Sequence, residues 1–156
     1  MLWGDPDEGE SMTESLKIKE SIKKRLERFW SSSEERGGFL IANRRGVVCE
    51  FLPLPNMSSV PEERYQEPQS LSRILDFAKE YCNSGFKHYW NSTHRVVAFF
   101  HTHPTPCIMS AADLSCAPQY RNLLFVTISP IERMSWCREF AWYACSGIEP
   151  RRIEFV

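Results

Sequence analysis

The stretch that most constrains this chain is the run Val96-Val97-Ala98-Phe99-Phe100, which passes at once into His101-Thr102-His103-Pro104. The apolar residues read as a strand, and because strand side chains alternate, His101 and His103 emerge on one face while Thr102 points to the other. Pro104 and Pro106 cannot continue a sheet interior, so the backbone must leave the strand and turn there. Two imidazoles therefore converge where the chain turns away.

Downstream, Ser110-Ala111-Ala112-Asp113 has the form of a helix start, with Ser at the N-cap and an acidic side chain three residues on. Read structurally, this is a capping box worth about 1 kcal/mol and nothing more. Residues i and i+3 also share a helix face, so Ser110 and Asp113 could both look back toward the histidines. Two imidazoles and one carboxylate, His101, His103 and Asp113, make a three-ligand zinc site with the fourth position open, as in catalytic rather than structural zinc. A hydrolytic zinc site also needs a base, usually a carboxylate that is not itself a ligand. Glu35, in Glu35-Arg36-Gly37-Gly38, stands just before the first strand of the central hairpin. Taken alone, a glutamate near a helix end is commonplace, and only the combination gives it weight.

Around these segments the periodicity predicts one domain. Residues 1–15 carry Asp5, Asp7, Glu8, Glu10 and Glu14 without a basic partner and read as an acidic flexible leader, leaving 16–156 as the domain. Leu16, Ile18, Ile22, Leu26, Phe29 and Trp30 recur at roughly helical spacing among lysines and arginines, which predicts an amphipathic helix starting at Leu16. Residues 39–42 and 47–52, joined by Asn43-Arg44-Arg45-Gly46, predict a β-hairpin. A loop over 53–69 and a second helix over 71–82 follow. Further strands are expected at 95–100, 122–129, 140–145 and 152–156. This mixed order predicts an α/β fold, a single domain with a mixed β-sheet flanked by helices.

Composition excludes several classes. With 156 residues, 42% of them hydrophobic, the chain can bury a core without disulfides or a structural metal. A net charge of -1 gives no support to nucleic-acid binding, and no apolar run approaches a membrane span. The six cysteines form no CxxC pair and read as reduced thiols, mainly core filler. The opening residues lack the basic and apolar parts of a signal peptide, so a cytoplasmic location is expected.

Glu35-x-Gly37-Gly38, the apolar strand, His101-x-His103-Pro104 and Ser110-x-x-Asp113 together resemble the JAMM motif of the JAB/MPN/Mov34 zinc metalloproteases, which remove ubiquitin or ubiquitin-like modifiers by isopeptide hydrolysis. The resemblance covers about residues 34–156. It includes the Leu52-Pro53-Leu54-Pro55-Asn56 turn, and the Ser-x-x-Asp unit lies one residue closer to the second histidine than in the usual eukaryotic spacing. It implies one Zn2+ per chain held by His101, His103 and Asp113, with Glu35 as general base and Ser110 donating a hydrogen bond to the oxyanion. Glu34 is one residue too far from the glycines for the base role and is expected on the surface. His88 and His94, together with Cys107 and Cys116, are expected to stay out of the site.

The compact single domain resembles bacterial deconjugating isopeptidases that accompany E1-like and E2-like proteins in antiphage (CBASS-type) operons. That resemblance implies a ubiquitin-like modifier or conjugated C-terminal tail as partner, with no nucleic acid and no membrane. Two other readings stay open: a related peptidase trimming a precursor tail, as in phage tail assembly or sulfur-carrier maturation, and an MPN scaffold without catalysis.

Overall fold

The computed structural model describes residues 15–66, 93–106, 123–134, 137–146 and 149–156. In chain order these form β1 (Leu16–Ile18), α1 (Glu20–Phe29), β2 (Gly37–Ala42), β3 (Val47–Leu54), β4 (Arg95–Thr102), β5 (Leu124–Met134), β6 (Cys137–Ser146), β7 (Glu149–Arg151) and β8 (Ile153–Phe155). The strands make one mixed sheet in the order β7-β6-β5-β4-β2-β3-β1-β8. Only Arg152 separates β7 from β8 in sequence, yet the two stand at opposite ends of that order. Both pairings can be met only if the sheet rolls until its ends nearly touch. Trp142 of β6 and Phe155 of β8 accordingly pack edge to face, with ring centroids 5.2 Å apart.

The mixed sheet and single domain agree with the sequence reading, but the fold is more sheet-dominated than an α/β domain flanked by helices. It is a nearly closed, barrel-like sheet with one helix among the described residues. The helix expected over 71–82 and the helix start expected at Ser110 lie outside the described residues, as does the leader up to residue 14. No helix among the described residues is long and apolar enough to cross a membrane.

Several boundaries differ from expectation, β5 and β6 running on to Met134 and back to Cys137, and three of the differences have a clear physical reason. The first helix begins at Glu20, because Leu16-Lys17-Ile18 has the two-residue alternation of a strand: Leu16 and Ile18 are buried, Lys17 is exposed, and the segment pairs in parallel with both β3 and β8. The strand expected over 152–156 is β8, paired with β1, and a further short strand not expected from the sequence, β7, precedes it on β6, with Arg152 at the step between them. Pro53 and Leu54 belong to β3 rather than to a loop. Pro53 pairs with Gly38 on one side only, since β1 reaches no further along β3 than Val48, and the missing N–H leaves no ladder bond unmade.

One face of the sheet holds the core. Leu40, Phe51, Ala98, Phe100, Val126 and Ile128 are buried against Ile22 and Leu26, which recur four residues apart on α1. Phe29, Phe51 and Phe100 interlock edge to face or tilted at centroid distances of 5.7 to 6.2 Å. Burying a side chain such as Phe100, which is inaccessible to solvent, contributes roughly 1.5–3 kcal/mol. The polar side of α1 is tied down by Lys23–Glu27 (3.1 Å), Arg25–Glu50 (3.1 Å) and a hydrogen bond from Trp142 Nε1 to Glu27 Oε2 (2.9 Å). The β2–β3 turn closes through Gly46, at φ 78°, and through Asn43 Oδ1, which accepts from the backbone N–H groups of Arg45 and Val47.

Candidate metal centre

The opposite face of the sheet carries the histidines. Strand register places Leu54, Gly37, His101, Thr127 and Tyr143 in one row across β3, β2, β4, β5 and β6. A parallel row of Leu52, Phe39, Phe99, Phe125 and Cys145 lies beside it, all buried. His101 stacks obliquely on Phe125, with centroids 5.0 Å apart. His101 and His103 do share a side, as strand alternation predicts: their rings stand edge to face at 4.8 Å.

Glu35 reaches them through a matched spacing. Gly37 pairs antiparallel with His101 in the β2–β4 ladder. One residue further out, Thr102 N–H donates to the Arg36 carbonyl (2.7 Å) and Arg36 N–H to Thr102 Oγ1 (3.1 Å). One more step sets Glu35 beside His103, whose Nδ1 is 3.5 Å from Glu35 Oε2. The two-residue interval in Glu35-x-Gly37 thus mirrors the interval in His101-x-His103 on a neighbouring antiparallel strand. The carboxylate meets the second imidazole, and the residue without a side chain lies opposite the first.

The glycines are there for space, since neither has a positive φ. A Cβ on Gly37 would meet the Phe100 carbonyl oxygen at 2.6 Å and the Tyr65 ring at 2.9 Å, while one on Gly38 would collide with the Leu52 carbonyl. Tyr65 lies over this part of the sheet, packed on Phe99 at a centroid distance of 5.4 Å and donating its hydroxyl to the Leu54 carbonyl (3.0 Å).

Backbone anchors hold the remaining freedom in check. His103 N–H donates to the Ile128 carbonyl (3.0 Å), and its own carbonyl accepts from Trp30 Nε1 (2.7 Å). Glu35 N–H donates to the Pro61 carbonyl (2.7 Å). Asn56 Nδ2 donates to the carbonyls of Glu35 (2.9 Å), Arg64 (2.7 Å) and Pro61 (3.3 Å), and Asn56 Oδ1 accepts from Ser58 and Gln66 N–H. One carboxamide therefore folds the segment after β3 and fixes it to the backbone of Glu35.

Glu35, His101 and His103 are all buried, and one donor atom from each lies within 4.8 Å of the others. Two imidazole nitrogens and a carboxylate form a donor set suited to zinc and to similar borderline metals. The 4.8 Å bound leaves room for a single ion, since donors bonded at ~2.1 Å around one tetrahedral centre stand ~3.4 Å apart. Glu34, by contrast, is half-exposed and paired with Arg36 at 3.3 Å, which agrees with its expected surface position. His94 sits at the opposite end of β4 from the pair, beside Thr93 Oγ1 at 3.0 Å. Ser110, Asp113, Cys107, Cys116 and His88 lie outside the described residues. Tyr65 and Thr127 were not singled out by sequence reasoning, Trp30 was read only as part of the apolar face of the helix, and Asn56 only as part of a turn. Only Thr127 left a local trace, as a hydroxyl inside the otherwise apolar run 123–128.

No family model and no curated protein sequence matches the chain. Solved structures do. A protein from Desulfitobacterium hafniense is similar at a TM-score of 0.59 and 19% identity, over 90% of this chain and 92% of its own. A JAB1/MPN domain protein from Archaeoglobus fulgidus is similar at 0.55 and 18%, over 92% and 99%. A protein from Salinibacter ruber is similar at 0.50 and 21%, over 90% of each chain. At these identities the likeness shows the fold alone, an MPN-type fold spanning nearly the whole chain.

Proposed function

We propose that this chain is a zinc-dependent isopeptidase or peptidase that releases the C-terminal tail of a ubiquitin-like modifier, or of a conjugated protein, from its target. The observation that carries the reading is the buried Glu35-His101-His103 group, set on an MPN-type sheet. His101 and His103 would hold the zinc, with Asp113 as the third protein ligand. A bound Zn2+ would polarise the scissile carbonyl and make a nearby water more acidic.

The chain's own residues do the rest. Glu35 accepts a proton from the attacking water and delivers it to the leaving amine as the C–N bond breaks, so no net charge accumulates on the protein. At 3.5 Å its carboxylate stands beside His103 without a hydrogen bond of ordinary length. The Ser110 hydroxyl donates to the oxyanion as it develops. The room that Gly37 leaves beside His101 is taken by the Tyr65 ring, which closes this side of the site.

The proposal extends to a cytoplasmic bacterial conjugation system linked to antiviral defence, with E1-like and E2-like partners. Hydrolysis of modifier-reporter fusions by zinc-loaded protein tests the reaction. Cleavage directly after the modifier's terminal small residue, abolished in Glu35→Gln, supports it. Cleavage at many sites in an unfolded casein-like substrate, or zinc uptake with no cleavage of any fusion, overturns it, the second result in favour of a non-catalytic MPN scaffold.

A further inference from the structure

Thr127 is inaccessible to solvent, and its Oγ1 makes no hydrogen bond to any described residue. Most buried hydroxyls have a partner, and one without is destabilising. Its place in the fold suggests a reason. Thr127 is the in-register neighbour of His101 in the parallel β4–β5 ladder, so both side chains leave the sheet on the same face. Along β5 the flanking residues Val126 and Ile128 turn to the opposite, apolar core and make no polar demand. The same segment also fixes His103, through the Ile128 carbonyl.

We infer that Thr127 is a positioning residue of the metal centre: its hydroxyl serves as hydrogen-bond acceptor for the ring N–H that His101 presents when its other nitrogen ligates a metal. This rests on the zinc reading above. A ligating imidazole must be neutral, with one nitrogen on the metal and a proton on the other, and that N–H is nearly always held by an acceptor that fixes the tautomer and the ring plane. A hydroxyl can fill this role while donating its own hydrogen elsewhere.

The test compares wild type with Thr127→Val, which keeps the β-branched shape and removes the hydroxyl, and with Thr127→Ser, which keeps the hydroxyl. Zinc affinity is read by competition with a chromophoric chelator, and melting is followed on metal-free protein. The expected result is zinc binding weaker by ~10–100-fold in Thr127→Val and close to wild type in Thr127→Ser. Metal-free Thr127→Val should melt above metal-free wild type, because a buried hydroxyl without a partner has been removed. Equal zinc affinity in Thr127→Val and wild type overturns the assignment and leaves the zinc reading intact. A metal-free Thr127→Val that melts at or below wild type also overturns it, since the hydroxyl then has a partner already in the empty site. Wild type that takes up no zinc overturns the zinc reading, and this inference falls with it.

Discussion

Nδ1 of His103 lies 3.5 Å from Oε2 of Glu35, although the two residues are far apart in sequence and both are buried. A carboxylate beside one ring nitrogen favours the tautomer that carries its proton there, which leaves the other nitrogen's lone pair for a metal. On the proposed zinc reading, the pair brings together a ligand and a base whose roles do not conflict.

Wild-type protein is expected to bind about one zinc ion per chain, measured by elemental analysis after purification without added metal. His101→Ala and His103→Ala should each abolish retention, since two of the donors on one centre are imidazoles. Chelation should lower the melting temperature of wild type but not of either variant, because only a ligand that binds the folded state shifts its stability.

Glu35→Gln should keep the fold and the zinc while reducing turnover by ~10²–10⁴-fold, the usual contribution of a general base. Glu34→Ala should stay near wild type, as its partner is the half-exposed Arg36. Rates on a modifier-reporter fusion, with zinc content measured in parallel, decide between the two glutamates.

Asn56→Ala removes a carboxamide that bridges Glu35, Pro61 and Arg64 and caps Ser58 and Gln66. A loss of roughly 1–3 kcal/mol is expected in denaturant unfolding, since several polar groups lose their partner at once. Turnover should fall more than stability alone explains, with KM little changed, because the backbone of Glu35 loses its tie to the segment after β3.

Gly38→Ala should destabilise by about 1–3 kcal/mol or prevent folding, because the added methyl collides with the Leu52 carbonyl and a backbone cannot yield cheaply. Gly46→Ala meets no atom within 4 Å and should cost only the strain of its φ of 78°, roughly 1–2 kcal/mol. Thermal melts of the two variants separate steric from conformational demand.

Cys49 gives a pH signature. Burial pushes its thiol above the ordinary value of 9.0, Glu50 adds to the rise, and Lys19 opposes it. With the folded value raised above the unfolded one, the protonated thiol's contribution to stability is complete at neutral pH and is lost only as pH climbs through the raised value. Alkylation of Cys49, mapped by mass spectrometry across a pH series, should reach half its maximal rate at a higher pH in folded protein than in the denatured chain. Coincident profiles would contradict the shift.

Spacing along the chain was enough to specify the hairpin at Asn43–Gly46, the strand leading into His101, and the common side of His101 and His103, whereas the preference for Glu35 over Glu34 came from the resemblance to the JAMM motif. The first three depend on periodicity or turn chemistry that a few adjacent residues carry by themselves. Leu16-Lys17-Ile18 marks the limit of that kind of reading. Three residues with this alternation fit a short strand but also the first turn of a helix, and the choice is made by β3 and β8, which lie far away in sequence. The closure of the sheet at Arg152, the meeting of Glu35 with His103 across the β2–β4 register, and the anchoring of Glu35 by Asn56 were likewise decided only in three dimensions. All depend on pairings between distant segments, and no local pattern encodes which strand will lie beside which.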